Sequence, residues 1–231
     1  MIKVSEPPIL LLVRAARQRL PRYDRVRVYA NVSRFDRCAG LSCRPSMMWG
    51  CAQVRVCFLT LEIFMTIKVG DRVPDGTLTE FIETETPSCS LGPNAFQVAD
   101  LVKGKKIAVF AVPGAFTPTC SAKHLPGYLA QADALRAKGV DEIWCVSVND
   151  AFVMGAWGRE QHSAGRVRML ADGAATWTRA LGLELDLNAR GMGIRSQRYS
   201  ALLDDGVVKQ LNVEGAGKFE VSDADTMLSQ L

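Results

Sequence analysis

The chain has 231 residues, 48% of them apolar and 23% charged, and a mean hydropathy of +0.06, the composition of a globular protein with one ordinary core. No stretch supplies the roughly 18 unbroken apolar residues of a membrane span. The net charge of +4 is uneven: residues 1–64 hold 11 Lys and Arg against 4 Asp and Glu, whereas residues 65–231 hold 17 against 20. The larger part therefore lacks a basic stripe that could track phosphates, and nucleic-acid binding is excluded as its function class.

In chain order, residues 1–64 are Arg-rich and show neither helical nor strand periodicity. Cys38, Cys43, Cys51 and Cys57 lie here at spacings that repeat no zinc knuckle. A targeting segment, a small zinc module and mistakenly included upstream sequence are the three readings. We take the last: residues 1–64 are an N-terminal extension, disordered or not part of the native protein, and Met65 begins the domain of residues 65–231.

Within that domain, Lys105–Val112 (KKIAVFAV) is a continuous apolar run after its two lysines, as a buried parallel strand should be. Thr117 and Pro118 then open a helix towards Lys138, with Thr as the cap and Pro at the first helical position, ended by Gly139 and kinked at Pro126-Gly127. Glu142–Val148 is a second buried strand, and Asn149-Asp150 caps a helix from Ala151 to about His162. A short strand at Val167–Leu170 and a short helix at Ala174–Leu181 follow. Arg198–Leu203 and Val207–Val213 flank the turn Asp204-Asp205-Gly206 as a hairpin, and Ser222 caps a final helix. This order, βαβα and then ββα, predicts an α/β thioredoxin-like fold with a central mixed sheet flanked by helices.

With Thr117 as the cap, Cys120 is the third residue of its helix. Its sulfur then lies beside unpaired backbone N–H groups and the positive end of the helix dipole, which favour negative charge on sulfur. A thiolate attacks peroxide oxygen and becomes a sulfenic acid. A lone cysteine at a helix start is more often a small packing residue; the capped helix following a buried strand tips the balance to chemistry.

The run P-G-A-F-T-P-T-C-S at Pro113–Ser121 carries P-x-x-x-T-x-x-C, and here the sequence resembles the type II, redoxin-domain peroxiredoxins. The resemblance covers residues 65–231 and extends over His124–Tyr128, Cys145–Met154 and Gly193–Ser200. It implies that Cys120 is the peroxidatic cysteine. Thr117 would bond the peroxide and hold the sulfur, Pro113 would shield it from water, and Arg198 would stabilise the thiolate and polarise the peroxide. Arg195 is the rival arginine, and the start of a strand at Arg198 favours Arg198. His124, four residues after Cys120, is read as a packing and hydrogen-bonding neighbour of the site and not as a general base.

Cys145, inside EIWCVSV, is read as a buried core thiol, although the matching cysteine has been proposed as resolving in some relatives. Members that carry a resolving cysteine within the stretch matching Asn212–Asp223 differ from this chain, which has none there. Cys89 is a weak resolving candidate.

The expected activity is reduction of hydrogen peroxide and organic hydroperoxides. Glutathione with glutaredoxin is the expected thiol donor and thioredoxin the second choice; no metal or organic cofactor is needed. The cytoplasm is the expected compartment, without membrane or nucleic-acid partners. A thiol–disulfide oxidoreductase normally needs C-x-x-C, and Thr117 stands at the first position of that spacing. A non-enzymatic redox sensor or chaperone on the same scaffold is the third reading. A homodimer is expected through Pro113–Pro118 and Ala151–Trp157, where Phe152, Gly155 and Ala156 share one helical face and Val153 and Trp157 the next.

Overall fold

A computed structural model describes residues 66–231, Ser88 excepted; the reading of residues 1–64 lies outside the described residues. The strands are β1 (Thr77–Ile82), β2 (Gly92–Gln97), β3 (Lys106–Val112), β4 (Glu142–Ser147) and β5 (Arg168–Ala171), then β6 (Glu184–Leu187), β7 (Gly193–Ser196), β8 (Tyr199–Asp204) and β9 (Val207–Val213). Seven of them form one mixed sheet in the order β2-β1-β5-β4-β3-β8-β9, and β6 pairs with β7 apart from it. The centre is parallel, β3 beside β4 and β4 beside β5. This is the thioredoxin-like arrangement the sequence predicts.

β3 after Lys106, and β4 between Glu142 and Ser147, are apolar because both faces of the sheet are covered. Phe110, Ile143 and Cys145 point into one cluster with Cys120, Leu125, Tyr128 and Trp157. Ile107, Val109, Trp144 and Val146 point into the other, with Leu78, Trp177 and Leu203. Alternation along each strand sends successive side chains to opposite faces.

The helices are α1 (Val98–Val102), α2 (Leu125–Ala130), α3 (Ala132–Ala137), α4 (Ala151–Glu160), α5 (Thr176–Ala180) and α6 (Ala224–Ser229). A wide turn over Cys120–His124 precedes α2, and in it the Leu125 N–H reaches back to the Cys120 carbonyl, five residues away. It lies directly ahead of Pro126, which has no N–H to give to the carbonyl four residues before it. The single kinked helix expected up to Lys138 is thus three pieces, with the later break at Gln131.

α4 is capped as predicted, Asp150 accepting from the Val153 N–H at 2.8 Å. Gly155 presses onto β1 so closely that an added Cβ would stand 2.7 Å from the Phe81 Cβ. The last helix is capped by Asp223, which accepts from the Thr226 N–H at 2.8 Å. Ser222, expected in that role, gives its hydroxyl to Glu214 instead. Asp205 (φ 47°) and Gly206 (φ 76°) make the tight turn between β8 and β9. Among the described residues no helix is long and apolar enough to cross a membrane.

Candidate active site

Two features of the sheet bring the site together. The loop 113–117 leaves the C-terminal end of β3, where parallel strands aim following helices at a common crevice. β8 runs antiparallel to β3 with Tyr199 opposite Ala111, so Arg198, immediately before β8, comes level with the start of that loop.

Cys120 opens the wide turn. The first intrahelical bond runs from the Ser121 N–H to the Thr117 carbonyl at 3.0 Å, so the N–H groups of Thr119 and Cys120 lie ahead of it and keep the positive end of the helix dipole at the sulfur. The cysteine has no exposed surface. Arg198 Nη2 lies 3.5 Å from its Sγ.

The guanidinium is aimed by His124. Arg198 Nη1 is 3.0 Å from His124 Nδ1. A guanidinium can only donate, so Nδ1 accepts; Nε2 therefore carries the ring proton and donates to the Ser222 carbonyl at 3.0 Å. The Tyr128 hydroxyl donates to the same carbonyl at 3.2 Å. Burial, and after it the Arg198 charge, lower the His124 pKa from 6.5 to about 3, against the opposing Ser222 bond and the Glu214 and Asp223 charges. The imidazole is neutral at physiological pH, as an acceptor for Arg198 must be. The Phe219 ring closes this group, 5.6 Å from Arg198 Cζ and 5.0 Å from the His124 ring.

On the other side stands the loop itself. Thr117 occupies the cap position, but its hydroxyl donates to the Gly114 carbonyl at 2.9 Å and so closes the loop on itself. Pro113 is half-buried at the end of β3. The Asn149 side-chain carbonyl accepts from the Ala115 N–H at 3.0 Å and from the Ser147 hydroxyl at 2.8 Å, fixing the loop to β4. Arg195 lies within β7 and donates to the Val148 carbonyl at 3.1 Å; its Nη1 would stand 3.2 Å from a Cβ placed on Gly114. The two arginines thus divide: Arg198 reaches the sulfur and Arg195 braces the loop.

Cys145 is buried in the same apolar cluster as Cys120, and burial, then the proximity of Cys120, push its thiol well up. Cys89 sits half-buried in a turn closed by paired backbone bonds with Thr86. Sequence reasoning missed Ser222, Asn149 and Phe219. Their parts are played by a backbone carbonyl, an acceptor oxygen and a ring face, and no motif spacing marks these.

A thioredoxin-like sheet that presents one buried cysteine at a helix start, with a guanidinium on its sulfur, has the architecture of a thiol peroxidase. The Redoxin family model matches residues 68–228. Peroxiredoxin-2B of Arabidopsis thaliana is 50% identical over 165 residues, covering 71% of this chain and 98% of that protein. A Burkholderia cenocepacia structure, provisionally described as a thioredoxin reductase, is 63% identical with a TM-score of 0.72, over 72% of this chain and 99% of its own. Reduced Prx3 of Vibrio vulnificus, solved in complex with H2O2, is 52% identical with a TM-score of 0.66, over 71% of this chain and 99% of its own. The chain belongs to the type II peroxiredoxins and is a thiol peroxidase with an antioxidant function.

Proposed function

We propose that the chain reduces hydrogen peroxide and organic hydroperoxides with Cys120 as the nucleophile, and that Thr117, Arg198 and Pro113 complete the catalytic set. The observation that carries this reading is the Arg198 Nη2 at 3.5 Å from the Cys120 sulfur. The thiolate attacks the terminal peroxide oxygen, the O–O bond breaks, and the departing alkoxide leaves as an alcohol, or as water from H2O2, once it takes a proton. Charge builds on the leaving oxygen, and the rigid fork of donors on Arg198 offsets it. Thr117 offers its hydroxyl oxygen to the peroxide, and Pro113 keeps water off the sulfur. A Vibrio vulnificus relative solved with H2O2 supports the choice of substrate.

Cys120 is left as a sulfenic acid. A thiol donor displaces water to give a mixed disulfide, and a second thiol releases Cys120 with formation of the donor disulfide. Because the cysteine has no exposed surface, the donor reaches it only when the wide turn opens. We assign glutathione with glutaredoxin as the donor and thioredoxin as the alternative. No metal or organic cofactor takes part in these steps.

The reading further places the activity in residues 65–231, in the cytoplasm and in a homodimer. Phe116, in the loop before Cys120, and Phe152, on α4 against Phe81, remain 49% and 63% exposed, apolar surface that a second copy would cover. Gly155 and Trp157 belong to the subunit's own packing. Sedimentation equilibrium at micromolar concentration should give a two-chain mass, and Phe152→Glu should halve it. The central experiment is peroxide consumption by Cys120→Ser with each donor system. Complete loss is expected; activity within a few-fold of the parent protein would overturn the reading.

A further inference from the structure

Arg198 is aimed by groups that are themselves held by one carboxylate. Glu214 follows directly on β9 and is 8% exposed. Its Oε1 accepts the N–H groups of Glu220 at 2.7 Å, Val221 at 2.8 Å and Ser222 at 2.9 Å, and the Ser222 hydroxyl at 2.9 Å. Successive backbone N–H groups converging on one point form the concavity with which loops bind anions, and here the chain fills it with its own side chain. Burial opposes the charge, but the N–H groups of Val221, Ser222 and Glu220 outweigh it and hold the Glu214 carboxyl below its usual range.

Both supports of Arg198 meet at this residue. The Glu214 backbone N–H donates to the Arg198 carbonyl at 2.9 Å. Its carboxylate anchors Ser222, whose carbonyl takes the His124 Nε2 and Tyr128 hydroxyl protons. The same short segment carries Phe219 against the guanidinium.

We propose that Glu214 is a positioning residue for peroxide reduction: by clamping residues 220–222 it fixes the Ser222 carbonyl, the carbonyl fixes the His124 ring, and the ring aims Arg198 at Cys120. The proposal rests on the reading of Cys120 and Arg198 as the peroxide site. A carboxylate that served packing alone would govern stability without governing the guanidinium.

The test compares Glu214→Ala and Glu214→Gln in the full chain. The second-order rate constant of Cys120 with H2O2 is measured by rapid quenching and mass spectrometry. Alkylation of Cys120 by iodoacetamide at pH 9 is measured alongside, because it needs the sulfur but no polarised O–O bond. Glu214→Ala should slow the peroxide step roughly 10- to 100-fold, the scale of a small misplacement of a reacting group, while alkylation changes less than about 3-fold. Glu214→Gln keeps an acceptor oxygen at the same reach and should recover all but about 5-fold. Should Glu214→Ala not fold, Glu214→Asp, which draws the oxygen back by one methylene, carries the same expected loss. A peroxide rate within about 3-fold of the parent protein, or alkylation changing in step with it, would overturn the proposal. Absence of any peroxide reaction in the parent protein removes the peroxidase reading itself, and the proposal with it, before a variant is compared.

Discussion

Two arginines at the edge of the core have opposite surroundings. Arg168, on β5, is held between two carboxylates, Glu80 at 2.7 Å and Glu142 at 2.9 Å. Glu142 is shared further with Lys105 and with the Trp144 indole N–H. Both guanidiniums lie over an aromatic ring, Phe96 for Arg168 and Phe219 for Arg198, but the donors of Arg198 end on a neutral imidazole and a sulfur, and among the described residues no carboxylate pairs with it. The first charge is consumed within the fold; the second is left for whatever negative charge arrives or develops at Cys120. A cation whose donors end on neutral and soft partners marks chemistry, whereas one saturated by carboxylates marks architecture.

The largest effects should follow from exchanging these two fates. Arg198→Ala should lower the peroxide rate constant by roughly 10²- to 10³-fold, the usual loss for one donor at a developing charge, with a loss of stability of about 1 kcal/mol from the orphaned His124 Nδ1. Arg198→Lys should lower it far more than Arg195→Lys, because lysine keeps the charge and loses the planar fork. Arg168→Ala should do the reverse, costing about 2–3 kcal/mol of stability in denaturant melts by stripping its carboxylates of their partner, with the rate constant within about 3-fold. Two variants with the same profile would break the comparison.

A smaller effect lies in acid. The folded His124 resists protonation down to about 3, while the unfolded residue titrates near 6.5. The unfolded chain therefore binds the extra proton in between, so stability is full above 6.5 and falls as the pH drops towards 3. Between pH 7 and 5 this one group should remove about 2 kcal/mol. Urea midpoints at the two pH values measure it, and His124→Gln should flatten the difference. An unchanged slope in that variant would assign the acid loss to carboxylates.

The smallest effect is expected at Cys145. Its thiol is pushed well up by burial and stays protonated, so Cys145→Ala should keep turnover with glutathione and glutaredoxin within about 2-fold. A large loss with unchanged circular dichroism would make it the resolving thiol.

Much of this arrangement is legible in the sequence because its signals are local. Lys105–Val112 and Glu142–Val148 announce buried strands by the apolar runs that follow their charged first residues, and Thr117-Pro118 announces the helix start on which Cys120 sits. β1 and β2 are not legible: TLTEFI keeps only Leu78 fully buried, and GPNAFQ begins with Gly and Pro and lies at the sheet edge. Ser222 reads as a helix cap because a serine before DADTM fits one, yet Asp223 takes the position and Glu214, eight residues back, takes the hydroxyl. A carboxylate whose partners are backbone N–H groups leaves no pattern of residue types. The distinction between Arg168 and Arg198 is likewise a matter of what lies across the sheet.

Trp157 is fully buried on α4, and its indole N–H donates to the Ser121 hydroxyl at 3.0 Å, one residue from Cys120. Trp144 and Trp177 belong to the opposite cluster of the core. The molecule thus carries an optical gauge of its own sulfur. An indole tied to the turn that carries Cys120 changes its surroundings if that turn moves, while Trp144 and Trp177 lie across the sheet from it; Trp49, the fourth tryptophan, lies outside the described residues and is replaced by Phe for the measurement. Its emission should step once as Cys120 is oxidised and step back as the donor restores the thiol, making each half of the cycle visible in a single mixing experiment without a label.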